Sequence, residues 1–244
     1  MNRFFTTDIA GGRASIRGED VKHIARVLRL GAGGRVVLCD GAGTEYDGVI
    51  ESLAPDEVRL SVSGARPCPA EPRCRVTLFQ ALPKAGKLET IVQKCVELGV
   101  DTVVPVLASR CVAVPARDFS ARLQRLRRVA EEAAKQSRRG VIPQVEAVRP
   151  LASLALDGFD AALLAYECER ETTLKAALRA HGPGTLRRVA LIIGPEGGFE
   201  PEEAALLAAR GARAVTLGPR ILRTETAGMA MLAQTLYELE QAEG

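Results

Sequence analysis

Two stretches near the carboxyl end place charged and hydroxyl groups on glycine-bearing turns. Residues 217–227, LGPRILRTETA, carry Arg220, Arg223, Thr224 and Glu225 directly after Gly218 and Pro219. Residues 192–203, IIGPEGGFEPEE, carry Gly194, Pro195, Glu196, Gly197 and Gly198. Glycine lets a backbone approach a ligand closely and leaves N–H groups free to donate. A carboxylate at Glu196 repels phosphate and favours a ligand bearing positive charge. Neither stretch matches G-x-G-x-x-G or G-x-x-x-x-G-K-[ST], so the dinucleotide and nucleoside-triphosphate readings lose their usual support. Thr224 also suits an N-cap, with Glu225 in the first turn of the following helix. Capping and ligand contact are compatible there. The chain has no G-x-S-x-G elbow and no H-E-x-x-H pair, which leaves hydrolase chemistry without a starting point.

A second set of residues is basic. Residues 110–140 hold nine Lys and Arg against three acids, a local excess of six in a chain of net charge +3. Such a segment suits a polyanion such as RNA, and equally a solvated helix face. Gln136, Ser137, Arg138 and Arg139 close a helical pattern before Gly140, where arginine either answers the helix dipole or contacts phosphate. Arg110, in Ser109-Arg110-Cys111, follows a strand pattern. Arg3-Phe4-Phe5 reads as a basic–aromatic RNA contact or as core anchors. His23 shares a helical pattern with Arg26 and Arg29 and reads as a surface or core histidine. The six cysteines are scattered, without a C-x-x-C pair, and the chain has only two histidines. A zinc site and a disulfide framework are therefore not expected, and a reducing cytoplasm fits. No signal-peptide pattern and no run of about 20 apolar residues is present, so a soluble protein without a membrane partner is expected.

The elements that must position these residues follow from periodicity. The first third reads as strands at 35–40, 46–53 and 57–63, with a helix over 20–30 that has Asp20 as N-cap and Gly31 beyond its end. Val21, Ile24, Val27 and Leu28 form its apolar stripe. This predicts a small barrel with one helix. Three prolines in ARPCPAEPRC suggest a linker from Gly64 and a domain boundary near residue 72. Beyond it, strands at 76–82, 102–107, 161–166, 189–193 and 215–217 alternate with helices at 87–98, 120–137, 171–180, 201–210 and 226–240. That alternation predicts a mostly parallel sheet covered on both faces. Pro105 argues for an edge or a bend in its strand. Turns at the carboxyl ends of such strands are where a small ligand binds.

These residues resemble the family of ribosomal RNA small subunit methyltransferase E. The resemblance runs over nearly the whole chain. It includes Arg3-Phe4-Phe5, His23-Ile24, Arg26 to Arg29, Asp40-Gly41, Gly43 and Tyr46. It continues through Lys87-Leu88-Glu89, Gln93-Lys94, Glu97-Leu98-Gly99, Gln136-Ser137 with Arg139, and residues 193–199, and it ends in LGPRILRTETA. It implies an α/β protein with an N-terminal PUA-like barrel over residues 1–72. Residues 73–244 would form a SPOUT domain with a deep trefoil knot. It further implies a homodimer that uses S-adenosyl-L-methionine to methylate N3 of a uridine in 16S ribosomal RNA, within the small subunit and without a metal. Carried over, Gly194 to Gly198 and Leu217, Gly218, Ile221, Leu222 and Thr224 hold the cofactor, with Tyr166 and Glu167 as further candidates. Arg223, Glu225 and Glu196 are the catalytic candidates. Arg3, Arg26, Arg29, Arg110, Gln136, Arg138 and Arg139 are the RNA candidates. Lys135 stands where the family pattern is acidic, which would add charge to the RNA face, and Cys111 where it has serine. Rival readings are an RNA-binding assembly protein with a vestigial pocket, a nucleotide-binding oxidoreductase and a methyltransferase acting on tRNA ribose.

Overall fold

The computed structural model describes residues 1–84, 86–112, 119–182 and 184–241. Arg117 and Asp118 of the basic segment lie outside them. The chain divides into two compact units, Met1–Glu71 with Ala134–Ile142, and Pro72–Ala133 with Pro143–Gly244.

The first unit is a six-stranded sheet. Its strands are β1 (Arg3–Phe5), β2 (Ile9–Ala10), β3 (Arg13–Arg17), β4 (Arg35–Cys39), β5 (Thr44–Leu53) and β6 (Glu57–Pro67), in the order β1-β4-β5-β6-β3-β2. Only β1 and β4 run parallel. The two sides of the sheet meet beside β1, where Thr6 donates its N–H to Cys39 O (3.0 Å) and its Oγ1 to Ser15 O (2.6 Å). Phe4, Ile16, Ile24, Leu38, Ile50, Val58 and Leu60 fill the interior. The proline-rich stretch is ordered earlier than expected, because β6 continues through Gly64 to pair Arg66 with Glu45 and Pro67 with Thr44.

The helix over 20–30 departs from the sequence reading. A single α-turn, α1 (Glu19–Lys22), passes into π-winding over His23–Val27. Leu28 N–H bonds His23 O, and Leu30 N–H reaches back to Ile24 O. The extra residue per turn rotates Val27 off the apolar face and leaves it 66% exposed. The left-handed closing position falls on Arg29 (φ 52°), not on Gly31. Asp20 is no cap either. Its carboxylate takes Lys135 Nζ at 3.0 Å, so the lysine that the sequence assigned to an RNA face has its charge answered internally.

Two arginines expected to meet RNA are also internal. Arg3 donates to Glu45 (2.8 Å) and to Cys39 Sγ (2.9 Å). Burial, partly offset by that guanidinium, pushes the Cys39 thiol up to about 11, so it stays protonated at neutral pH. Arg139 is 3% exposed and grips the Glu71 carboxylate, with Nη2 at 2.7 Å. Glu71 also accepts the N–H groups of Gly140 (2.7 Å) and Val141 (3.1 Å). Burial alone would raise the Glu71 carboxyl, but Arg139 and these N–H groups outweigh it and hold the group below the usual carboxylate range. A buried charge left without its partner is costly. Arg139→Met is therefore expected to lower the unfolding free energy by roughly 3–5 kcal/mol at neutral pH, read by denaturant titration. Because the folded-state value is depressed, the wild-type advantage is full above the unfolded carboxylate value. It fades as pH falls through the folded one.

The second unit holds β7 (Arg75–Ala81), β8 (Thr102–Leu107), β9 (Gln144–Val145), β10 (Arg149–Pro150), β11 (Ala161–Ala165), β12 (Arg188–Ile193) and β13 (Ala212–Val215). Every pairing is parallel, in the order β10-β8-β7-β12-β11-β13, with β9 also on β8. The helices are α2 (Lys87–Glu97), α3 (Ser120–Gln136), α4 (Leu174–Arg179), α5 (Pro201–Ala209) and α6 (Thr224–Gln241). Apolar runs such as RVALII are buried on both faces, as a helix-covered parallel sheet requires. Phe79, Val104, Leu164 and Ile192 join the core beside α5. Pro105 does not mark an edge. Val103 and Val106 show which way β8 alternates: Val103 O accepts Glu146 N–H on the β9 side, and Val106 O accepts Leu82 N–H on the β7 side. Pro105 therefore turns its nitrogen to the β9 side, in the gap between residues paired to β9 and to β10. The ladder gives up no bond there. Strand β13 ends at Val215, earlier than expected, because Thr216 leaves β11 for a parallel bridge to Thr173, giving its N–H to Thr172 O (2.8 Å) while its Oγ1 accepts Gly218 N–H at 3.2 Å.

Candidate active site

Strands β12, β11 and β13 lie side by side, and their carboxyl ends release three loops into one cleft of about 510 Å³. Tyr166 and Glu167 leave β11, Gly194 to Gly198 leave β12, and Thr216 to Arg223 follow β13. Tyr166, Glu167, Gly194, Pro195, Glu196, Gly197, Gly198, Leu217, Gly218, Ile221, Leu222 and Thr224 all line it. Volumes of this order suit a nucleoside-sized ligand.

A buried hydrogen-bond chain fixes the loops. Gln80, fully buried near the end of β7, donates Nε2 to Thr224 Oγ1 at 2.9 Å and to Ala81 O at 3.1 Å. Thr224 in turn donates Oγ1 to Gly194 O at 2.6 Å. Thr224 is thus not the N-cap that its position before the helix suggested. The helix α6 already includes Thr224, and its hydroxyl serves the glycine loop instead. A Cβ at Gly228 would stand 2.9 Å from Gln80 Oε1, so any larger residue there would displace the amide or the helix. Phe199 packs on Gly194, and a Cβ at that position would meet its ring at 3.2 Å.

The charges alternate in sign. Lys87, at the start of α2, donates Nζ to Glu196 Oε1 and to Glu225 Oε2, each at 3.1 Å. Glu196 Oε1 also accepts Lys84 N–H at 3.1 Å. Burial works to raise Glu196. The N–H groups of Lys84 and of Glu196 itself, together with Lys87, outweigh it and hold the carboxyl below the usual range. Its own N–H, ahead of Lys87, holds Glu225 low as well. Glu225 does not line the cleft, whereas Arg223 does, its guanidinium exposed and with no hydrogen-bond or ion-pair partner among the described residues. Sequence reasoning missed Gln80, Lys84 and Arg170, and it gave Lys87, which stands in the family pattern, no role at the site. Lys87 opens a helix 109 residues before Glu196, and no local pattern joins the two.

A family model described as an RNA methyltransferase domain matches residues 70–236, and one described as an RNA methyltransferase PUA domain matches residues 16–63. The chain is 35% identical over 236 residues to ribosomal RNA small subunit methyltransferase E of Bacillus subtilis, covering 94% of this chain and 92% of the relative. It is 34% identical to the protein of that name from Mycobacterium bovis, covering 91% and 85%. The chain belongs to the ribosomal RNA small subunit methyltransferase E family. A crystal structure of the family member from Neisseria gonorrhoeae, bound to S-adenosyl methionine, superposes with a TM-score of 0.82 at 25% identity, covering 97% of each chain.

Against that family background, the RNA candidates separate into two kinds. Arg26, Arg29, Gln136 and Arg138 are exposed in the first unit. Arg3 and Arg139 are the internal pairs described above. Arg110 follows β8 and braces the cleft loop from outside: it donates to both oxygens of Glu200 at 2.7 Å and to Gly197 O at 2.9 Å. A bidentate guanidinium pair of this kind is directional and short, so Arg110 clamps the glycine loop.

Gly198 has φ 70°, and a Cβ there would collide with the Glu167 carboxylate. Gly198→Ala is expected to cost roughly 1–2 kcal/mol for the left-handed backbone, with the collision added. In a double-mutant cycle Glu167→Ala should return the collision part and leave the backbone part. Additive losses in denaturant melts would show that the two residues do not meet.

Proposed function

We propose that this chain transfers a methyl group from S-adenosyl-L-methionine to N3 of a uridine in 16S ribosomal RNA, within the small subunit, as a homodimer in the cytoplasm. In this reading residues 1–72 form the PUA-like RNA-binding barrel. Residues 73–244 form the SPOUT domain, whose knot would hold the cofactor loops. The observation that carries the reading is the convergence of three strand-end loops on one glycine-lined cleft in a chain of this family.

The cleft suits the donor on its own chemistry. Gly194, Gly197, Gly198 and Gly218 open backbone to a ligand, Ile193, Val215 and Leu222 offer apolar surface, and the Glu167 carboxylate faces in without a hydrogen-bonded cation among the described residues. When bound, the donor supplies an electrophilic methyl group on a positive sulfonium. The residues of this chain would hold it through backbone groups of the loops at 194–198 and 217–224. Arg223 would stabilise negative charge developing on the uracil carbonyls as N3 loses its proton. Glu196 and Glu225 are weak proton acceptors, because both are held below the usual carboxylate range and share Lys87. Alignment of the two reactants in the cleft is worth roughly 7–11 kcal/mol in favourable cases. The target base must be unpaired or opened for its Watson–Crick edge to be reached.

Digestion and mass spectrometry of small subunits from a strain lacking this activity, after incubation with the protein and S-adenosyl-L-methionine, should reveal N3-methyluridine. A methylated ribose or a methyl group on another base would sink the site assignment. Arg223→Ala should lower the saturated rate by about 10²-fold or more while calorimetric affinity for the donor stays near wild type. A normal rate would remove Arg223 from the chemistry.

Arg26→Glu with Arg138→Glu should weaken RNA binding and flatten its salt dependence, by roughly 0.7 in log–log slope for each phosphate no longer neutralised. An unchanged slope would place RNA elsewhere.

A further inference from the structure

We infer that Lys87 is a positioning residue that holds the Glu196 and Glu225 carboxylates together as one compensated charge cluster, and that the reaction depends on this compensation. The inference rests on the methyltransferase reading and deepens it.

The geometry is specific. The Nζ of Lys87 lies 3.1 Å from an oxygen of each carboxylate, so those oxygens are no further apart than twice that distance. Each comes from a different segment bordering the cleft. Glu196 sits in the loop after β12, and Glu225 in the first turn of α6, next to Thr224. The side chains are 29%, 22% and 22% exposed, so the cluster is sheltered without being sealed. The other groups facing it are few. Lys84 contributes its N–H to Glu196, Arg223 lies near Glu225 without a direct bond, and the Cys111 thiol feels the Glu196 charge.

The cluster resolves a conflict of charge. A polyanionic strand is repelled by bare carboxylates, here Glu196 lining the cleft and Glu225 beside it, and two carboxylates at this separation raise each other's affinity for protons. A single ammonium eases both problems by cancelling one of the two negative charges, and it ties the glycine loop to the first turn of the helix that begins at Thr224. Without it the two negative charges would repel each other, and the glycine loop carrying Glu196 would move away from the first turn of α6.

This predicts a signature that a packing defect would not produce. In Lys87→Met the carboxylates lack a cation at neutral pH, and the saturated rate should fall by at least about tenfold. As pH drops from about 8 to about 5.5, a proton captured by the pair takes over the role of the ammonium. The ratio of variant to wild-type rate should therefore rise on acidification. Lys87→Arg should restore most of the rate at every pH. The thermal midpoint should change little, because partly exposed ion pairs contribute little to stability.

A ratio that stays flat or falls on acidification overturns the inference, as does a Lys87→Met enzyme with wild-type rate. A lowered melting point with a flat ratio means that Lys87 is merely structural, and overturns it too. Each of those results leaves wild-type methylation intact. Failure of the wild-type protein to bind the donor or to methylate small subunits instead removes the functional reading, and this inference with it.

Discussion

A buried amide needs partners, and the N–H donors of Gln80 find theirs while its Oε1 finds none among the described residues. Gln80 is enclosed near the end of a central strand, where an unpaired N–H would cost on the order of 1–3 kcal/mol. Its donors reach Ala81 O and Thr224 Oγ1, and Thr224 passes the connection to Gly194 O. One side chain thereby fixes where the first turn of α6 stands relative to the loop after β12. Glycine at 228 leaves this arrangement undisturbed, because a Cβ there would stand 2.9 Å from Gln80 Oε1 and push on the amide. With the carbonyl of Gly194 held inward, the loop follows a fixed path to Glu196. The placement of Lys87 against two carboxylates is a consequence of that path.

The parallel sheet explains why these groups converge. Parallel strands send all their carboxyl ends to the same side, so loops separated in sequence become neighbours there. Strands β12, β11 and β13 are adjacent although their sequence order is β11, β12, β13. The loops beginning at Tyr166, Gly194 and Thr216 thus share one opening. The Arg110 clamp works from the end of β8, outside this trio, and anchors the glycine loop to the start of α5 through Glu200. That loop is held from two directions, by hydrogen bonds inside and by a guanidinium outside.

Much of this was legible in the sequence wherever the signal was local. Apolar runs ending in glycine gave β12 and its loop, and helical spacing gave α2, α3, α5 and α6 nearly residue for residue. Local periodicity could not register π-winding at His23–Val27, since one added residue per turn leaves the pattern looking α-helical while it turns Val27 outward. The short strands β1, β2, β9 and β10 have too few residues for any alternation. Charge was the least legible property. Arg3, Arg110, Arg139 and Lys135 look alike as basic residues in a basic chain. Their carboxylate partners, Glu45, Glu200, Glu71 and Asp20, lie 42, 90, 68 and 115 residues away. No window of sequence reveals such pairing, and it gives the charge of all four a carboxylate partner within the protein.

What remains uncommitted is correspondingly informative. Arg26, Arg29 and Arg138 in the first unit, and Arg223 in the cleft, stay exposed without a carboxylate partner among the described residues. Two of them, Arg29 and Arg138, occupy left-handed backbone positions (φ 52° and 64°) that side chains rarely adopt. Such positions place a residue at a sharp change of chain direction. An arginine there projects from a turn that its neighbours hold rigid: Leu30 N–H on Ile24 O in one case, the buried pair of Arg139 with Glu71 in the other. The basic residues therefore divide by role. Those paired with carboxylates brace the fold, and those without such a partner, Arg29 and Arg138 on their turns among them, are left to solvent or to a polyanion. Net charge alone, at +3, would have assigned neither role.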